Sequence, residues 1–300
     1  MSAGLLFLVF LLLDPQQSLS LLQKGLLALE HGQIEEARQA LEQASAADPR
    51  NAYVWSSLAE TYFRLKEPEK AEMAAAKAEQ VGGTDPVVSR ALEMFYFSFA
   101  QELLRSEDFT RAAEVLKTAL KAHPKNAQLT LALGVARYGQ RRFEDAIEAF
   151  LEVIRIDPSI EQPYMFLGRV LDQAGPHLEE ITKDYEAWVA RDPQSAEAQL
   201  LLAKALLASD SSNSRSETLL RRSIARDSKD WESHYELGIL LASKHRYKDA
   251  AAELTQSIEL DPKQPMPHYH LARVYDRLGE PDRAQAEREA HQRLSGSSAH

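Results

Sequence analysis

The chain has 300 residues, of which 45 are acidic and 35 basic, giving a formal net charge of -10, and it contains no cysteine. That balance argues against binding nucleic acid through a general positive field, since phosphate contacts are made mainly by Lys and Arg. The absence of cysteine excludes disulfides, thiolate metal sites, a cysteine nucleophile and a lipid-modified cysteine.

Residues Ala3 to Leu13, AGLLFLVFLLL, carry no charge and are followed by Asp14, Pro15 and the small residues Ser18 and Ser20. This reads as a secretory signal sequence over residues 1–20, cut after Ser20, although no Lys or Arg precedes the apolar run. The run is too short for a membrane helix, which needs about 20 apolar residues, so no stable membrane span is expected. The expectation is an exported protein, periplasmic or extracellular, or a cytoplasmic one if the segment is instead an apolar cover for the first helices.

From about Ser18 a pattern returns at a nearly constant period, and its clearest unit is NAQLTLALGVARYGQRRFEDAIEAFLEVIRIDP, Asn126 to Pro158. Leu133 and Gly134 fall midway along a first helix, Arg141 and Arg142 mark a turn, and Ala146, Phe150 and Val153 form one stripe of a second helix that stops at Asp157-Pro158. With Ala127 as position 1, position 8 reads Gly25, Ala59, Ala100, Gly134, Gly168, Ala203, Gly238 and Ala272. Gly costs about 1 kcal/mol in a helix interior relative to Ala, so its return at one position calls for a close helix-helix approach. Position 20, taken as the facing column, reads Ala37, Ala71, Ala112, Ala146, Ser216, Ala250 and Ala284, with Glu180 or Ile181 in the fifth unit. The two columns predict tightly packed antiparallel helix pairs.

Stops at Asp48-Pro49, His123-Pro124, Asp157-Pro158, Asp192-Pro193 and Asp261-Pro262 keep the same register, with Asp227-Ser228 the weakest. Residues 18–83 hold the first two units, the second with Trp55, Leu58, Ala59 and Tyr62. Seven added residues then bring Gly82, Gly83, Thr84, Asp85 and Pro86, where Thr84 or Asp85 is expected to cap a lengthened helix and the chain to hinge. Residues 84–294 hold units three to eight. The fifth departs at Gly175-Pro176, and the sixth carries a longer, turn-rich loop at Ser209 to Ser216, expected to be mobile. In the eighth, Arg288 stands where others have Leu41, Leu116, Phe150, Tyr185, Leu220 or Leu254, which marks a polar terminal cap helix. Residues 295–300 are expected to be a disordered tail.

The Leu-Gly pair, the small position 20, the bulky position 24 and the closing Pro over about 34 residues match the tetratricopeptide repeat pattern, in eight units. The chain therefore resembles that family, in a bacterial member. The resemblance implies an all-α fold, an α-solenoid of antiparallel helix pairs forming a right-handed superhelix. It also implies a concave groove, lined by first-helix positions 2, 5, 9 and 12, that holds a peptide or protein segment. Those positions give Met94, Phe97, Gln101 and Leu104, then Gln128, Leu131, Val135 and Tyr138, an apolar and aromatic stretch. Further on they give Met165 and Arg169, Leu200 and Lys204, Tyr235 and Ile239, and Met266, Tyr269 and Arg273, where cations stand among apolar residues. The expected ligand is a peptide with apolar side chains and some acidic groups.

Chemistry beyond binding finds little support. His234 and His268 both occupy position 4, where Trp55, Tyr96 and Tyr164 put a packed ring, and His270 points to another side of the helix, so no metal site is expected. Runs such as Glu35-Glu36 and Glu179-Glu180 sit at helix starts, where they favour the helix dipole. No phosphate loop, nucleophile elbow or H-E-x-x-H sequence occurs, so neither catalysis nor a cofactor is expected. The Lys at position 5 with Asn at position 9 that holds a C-terminal carboxylate in heat-shock co-chaperones of this family occurs nowhere. The reading is a non-enzymatic scaffold that binds a peptide in its groove; the alternatives are an assembly factor that binds through its ends and a non-catalytic module of an enzyme complex.

Overall fold

The structure, a computed structural model, describes residues 15–297. Among these it has sixteen α-helices, two short 3-10 turns and no strand. The chain divides into two compact units that meet at Arg142 and Phe143. In the first, α1 (Pro15–Glu30) pairs with α2 (Ile34–Ala47), α3 (Ala52–Arg64) with α4 (Pro68–Gly82) and α5 (Pro86–Arg105) with α6 (Phe109–Ala122), followed by α7 (Ala127–Gly139). The second holds α8 (Phe143–Ile156), α9 (Gln162–Gly168), α10 (Leu178–Arg191), α11 (Ala196–Ser209) paired with α12 (Ser214–Arg226), α13 (Trp231–Ser243) with α14 (Tyr247–Leu260), and α15 (Pro265–Leu278) with α16 (Pro281–Ser297).

Close approach at position 8 organises each pair. A Cβ added at Gly25 would lie 2.5 Å from Leu41 Cγ, and one at Gly238 would lie 2.7 Å from Leu254 Cγ. At Gly168 it would run into Leu201 and come within 3.5 Å of Tyr185 Oη. The glycine partner in the second helix is thus position 24 at Gly25 and Gly238 (Leu41 and Leu254, both fully buried), and not position 20 as the sequence suggested, whereas at Gly168 it is Leu201 of the following first helix. Position 20 is small for a related reason, since Ala37, Ala71, Ala112, Ala146, Ser216, Ala250 and Ala284 are wholly buried as well. Ile181, also wholly buried, settles the register of the fifth repeat.

The turn inside each pair has a common conformation that the sequence did not announce. Position 15 is left-handed in seven of the eight repeats, at Gly32, Lys66, Glu107, Arg141, Gly175, His245 and Gly279, with φ between 47° and 74°. At Lys66 its N–H donates to Phe63 O at 3.0 Å and the next N–H, of Glu67, reaches back to Tyr62 O at 2.9 Å. That pairing satisfies two carbonyls at the end of the first helix. The sixth repeat solves the turn differently: Asp210 has φ -145°, and its Oδ1 accepts from Ser212 N at 2.9 Å and Ser212 Oγ at 2.7 Å. The expected loop of residues 209–216 is accordingly narrowed to Asp210–Asn213, with Asn213 capping α12.

Second helices end on an aspartate whose carboxylate accepts the N–H two residues on, at Asp48, Asp157, Asp192, Asp227 and Asp261. Asp227-Ser228, the weakest stop on sequence grounds, uses the same device as the Asp-Pro stops. Asp85 caps the 20-residue α5 by accepting from Val87 N and Val88 N, and it also takes a hydrogen bond from Tyr53 Oη at 2.9 Å. The lengthened helix still packs on α3, so the segment expected to hinge is fastened, and the division of the chain falls at Arg142 and Phe143 instead.

Repeat five departs earlier than Gly175-Pro176. Its first helix, α9, stops after seven residues, and two 3-10 turns at Leu171–Gln173 and Gly175–His177 carry the chain to α10. The last helix, α16, buries only Ala284 among its described side chains, and Arg288 turns back to pair with Asp276 on α15 at 3.2 Å. The helix runs on to Ser297, so residues 295–297 of the expected disordered tail are helical; Gly296 weakens a helix but does not forbid one. Residues 298–300 lie outside the described residues, as do 1–14, which carry most of the signal-sequence reading. Pro15 to Ser20 open α1, and Ser18 is buried there with Oγ donating to Ala44 O at 3.2 Å. A cut after Ser20 would take this contact from the first pair.

Gly238→Leu is expected to destabilise the second unit by about 1–3 kcal/mol, because the added atoms meet Leu254 Cγ and its backbone N. Lys66→Gly, which relieves a left-handed residue costing about 1–2 kcal/mol but loosens the unfolded chain, should be neutral or stabilising. Denaturant midpoints of the two variants moving by the same amount would contradict both assignments.

Candidate binding faces

First helices present the candidate side chains, and the two units differ in chemistry. In the first unit Phe97, Gln101 and Leu104 share one face of α5 at spacings of four and three residues, and Leu131, Val135 and Tyr138 repeat the pattern on the adjoining α7. Phe97 and Leu104 are half-buried against the core, as are Leu131, Val135 and Tyr138, while Gln101 is exposed. Beneath them lies an aromatic cluster that fixes α3 against α5, in which Phe63 meets Phe95 edge-on at 6.1 Å and Phe99 at 5.7 Å. Met94 and Val87 extend the apolar surface of α5 at 64% and 62% exposure. Positions 2, 5, 9 and 12 of α5 and α7 hold no charged residue, as the sequence reading expected.

In the second unit two of the expected groove residues prove to be structural. Leu200 is 1% exposed and belongs to the core, because α11 is covered by α9, the Leu171–Gln173 turn, α10 and α12. Ala198 to Ala203 are buried without a break, so α11 has no solvent face at that level. Lys204 is not an open charge either: its Nζ lies 2.5 Å from Glu232 Oε1 on α13. Around this pair burial pushes Glu236 up to about 7, with Lys204 pulling it down and Glu232 pushing it up. Burial likewise raises Glu197, helped by Asp230 and Glu232 and opposed by Lys204 and Arg169. These carboxylates occupy positions 2 and 6, and neither is among the groove residues expected from the sequence.

The remaining expected residues stay accessible. Met165 is 36% exposed, and Arg169 lies over the Phe166 ring at 5.5 Å. Tyr235 and Tyr269 belong to a row of rings that crosses three helices. Tyr235 touches Trp231 at 6.1 Å and His270 at 5.6 Å, and Tyr269 touches His270 at 5.1 Å and His291 at 5.5 Å. Arg273 stacks over Tyr269 at 5.7 Å. His270 and His291 complete the row, and only their closeness to the aromatic positions could have marked them in the sequence.

The position-4 histidines pack as rings, each with a partner that was not foreseen. His234 Nδ1 lies 2.7 Å from Glu253 Oε2, and His268 Nδ1 lies 2.6 Å from Glu287 Oε2, the same step one repeat later. Each pair ties a first helix to its own second helix. No group of three or more His, Cys, Asp or Glu suited to a metal ion occurs among the described residues.

A tetratricopeptide repeat model matches residues 22–86, 97–159 and 200–265, and a second model of that description matches 241–290. The cytochrome c-type biogenesis protein CycH of Pseudomonas aeruginosa is 28% identical over 127 residues, which is 42% of this chain and 30% of that protein. The chain thus matches under a third of the length of this relative. Among solved structures, YrrB, described as a TPR protein with an unusual peptide-binding site, is 18% identical with a TM-score of 0.49, covering 65% of this chain and 95% of its own. A thermophilic TPR protein of Thermus thermophilus gives 20% and 0.47 over 57% and 98%. The human IFIT1 dimer with m7Gppp-AAAA gives 17% and 0.50 over 93% and 72%. At such identities the likeness is one of fold.

The raised Glu236 has a pH signature. Its ordinary value is 4.5, so between about pH 4.5 and 7 the folded chain holds a proton that the unfolded chain releases, and this contribution to stability falls as pH rises through that window. Glu236→Gln should therefore stabilise the protein at pH 8 by about 1–3 kcal/mol and leave it unchanged near pH 4. A difference of equal size at both pH values in thermal melts would clear Glu236 of the role.

Proposed function

Because the chain belongs to the tetratricopeptide repeat family, whose fold serves in general as a non-catalytic scaffold for protein or peptide partners, we propose that it is a non-enzymatic scaffold that holds an extended protein segment on its first-helix faces. The observation that carries this is the uncharged, partly open strip of Met94, Phe97, Leu104, Leu131, Val135 and Tyr138 in the first unit. Apolar surface of this kind, flanked by polar positions, is what a peptide with apolar side chains buries. In the second unit the accessible cations are Arg169 and Arg273, which suit acidic groups of the same ligand, while Lys204 is engaged by Glu232. No described helix is long and apolar enough to cross a membrane.

The test is affinity for the partner captured from the source cell, measured with variants whose folding is checked by thermal melts. Phe97→Ala and Tyr138→Ala should each weaken binding by about 2 kcal/mol, the size of an aromatic hot spot. Normal affinity in both would remove the strip as the site.

Similarity to a cytochrome c-type biogenesis protein, together with Leu19, Leu26 and Leu27 exposed at 54%, 46% and 56% on α1, favours a second reading as an assembly factor that works through its first repeat. Leu26→Asp with Leu27→Asp would then abolish capture while the Phe97 variant binds normally.

We further place the protein outside the cytoplasm, on the strength of the apolar Ala3 to Leu13 run. Mass spectrometry of the native protein should find a chain lacking that run; an intact Met1 terminus in the cytosolic fraction would overturn the placement.

A further inference from the structure

Between the ends of α13 and α15 and the turn leading into α14 lies a half-open pocket of about 310 Å³, near the small end of the range for ligand pockets. Its polar lining consists of donors. Arg273 and Arg277 come from α15, His270 from the same helix, His245 and Tyr247 from the turn, and Ser243 from the end of α13; no Asp or Glu lines it. In a chain with ten more acids than bases such a wall is notable for its sign. Its apolar part is Ile239, Ala242 and Val274.

Among the described residues neither Arg273 nor Arg277 forms an ion pair. Arg273 and Arg277 stand four residues apart on one helix face, an arrangement of like charges that weakens a helix by a few tenths of a kcal/mol. Neighbouring arginines behave otherwise: Arg288 pairs with Asp276, Arg283 with Glu280 and Arg246 with Glu217 and Asp249. Asp276, the carboxylate nearest in sequence, is already engaged by Arg288 in a bidentate contact. Arg273 is oriented by the Tyr269 ring, and its charge, after burial, holds His270 below its ordinary range.

The turn adds a fixed donor. His245 sits in the left-handed conformation, φ 59°, and its Nδ1 lies 2.7 Å from Tyr247 Oη. A neutral imidazole and a phenol bring two protons to this contact and use one. Whichever group donates, one N–H or O–H is left for a ligand.

We propose that this pocket is a carboxylate-binding site that takes one acidic group of the bound segment between Arg273, Arg277 and the His245–Tyr247 pair. The peptide as source rests on the scaffold reading above; the carboxylate chemistry rests on the pocket. Two arginines suit a planar carboxylate because each guanidinium presents paired N–H donors. The site draws on positions 9, 13, 15 and 17; at position 9 it has Arg273 where the co-chaperone pair has Asn, and at position 5 of the same repeat Tyr269 stands in place of Lys.

The test titrates the full chain with small probes while following the ring proton resonances of His245 and His270. N-acetylglycine offers a main-chain carboxylate, N-acetylaspartate α-amide a side-chain carboxylate, N-acetylglycinamide the same size without charge, and inorganic phosphate a competing anion. One or both carboxylates should give saturable shifts, the tighter one naming a chain end or an acidic side chain as the source, and the neutral amide none. Arg273→Gln with Arg277→Gln should weaken carboxylate binding at least tenfold at an unchanged melting midpoint, and Arg277→Lys, which keeps the charge but loses the paired donors, should weaken it less than Arg277→Gln. Shifts equal to those of the neutral amide, binding indifferent to the double substitution, or phosphate binding more tightly than either carboxylate would overturn the assignment. These probes do not use the Phe97 and Tyr138 strip, so failure here leaves the scaffold reading intact, and failure there leaves this pocket's chemistry to be judged by its own titration.

Discussion

The structure depends on one steric condition: the first helix of a pair must lack a large side chain at position 8. There the bulky position 24 of the second helix sits in the space a side chain would fill, as Leu41 does over Gly25 and Leu254 over Gly238. Once that contact is made, position 20 is forced against the same helix and has room only for Ala or Ser, with Ile181 tolerated where α9 has broken off early. The first helix is thereby rotated to a fixed setting, which leaves positions 2, 5, 9 and 12 open or half-buried on α5, while on α11 Leu200 at position 5 stays in the core. The candidate binding side chains follow from the packing of residues that never meet a ligand.

How much of this could be read in the residues depends on whether a position carries a cost that only one residue type avoids. Gly25, Gly168 and Gly238 announce close contact because glycine is otherwise unfavourable in a helix. Asp85 before Pro86 announces a cap for the same kind of reason. The left-handed position 15 was hidden, because Lys66, Glu107, Arg141 and His245 accept strain there without any sequence mark, and only Gly32, Gly175 and Gly279 hinted at it. Of the candidate groove residues, the exposure of most could be read from spacing, and that of Lys204 and Leu200 could not. Phe97, Leu104, Leu131 and Val135 lie where their spacing placed them, but Lys204 is paired by a carboxylate from the following repeat, which no reading of one helix at a time reveals. Leu200 failed for a different reason, since the shortened α9 and its 3-10 continuation cover α11 more fully than a regular repeat would suggest.

Charge in the second unit is distributed by level. Near the starts of α11 and α13, Glu197, Glu232 and Glu236 crowd around a single lysine, and burial raises Glu197 and pushes Glu236 up to about 7. Near the ends of α13 and α15 the balance reverses, and Arg273 and Arg277 line a pocket that has no carboxylate in its wall. A segment lying along this unit would therefore meet a fixed order of preferences, neutral or cationic toward one end of the helices and anionic toward the other.

The interlock of positions 8 and 24 also determines where the molecule is stiff. Within a pair, sliding one helix along the other would drive a leucine into helix backbone, so a pair moves as one rigid lever. Successive pairs in a unit meet instead through larger side chains, such as the edge-on and tilted rings of Phe63, Phe95 and Phe99, whose contacts are between side chains and not with helix backbone. Each unit is in this sense a stack of levers joined by soft bearings. Elastic energy taken up when a partner binds would be stored between repeats, shared among many small rotations, while every pair keeps its internal geometry.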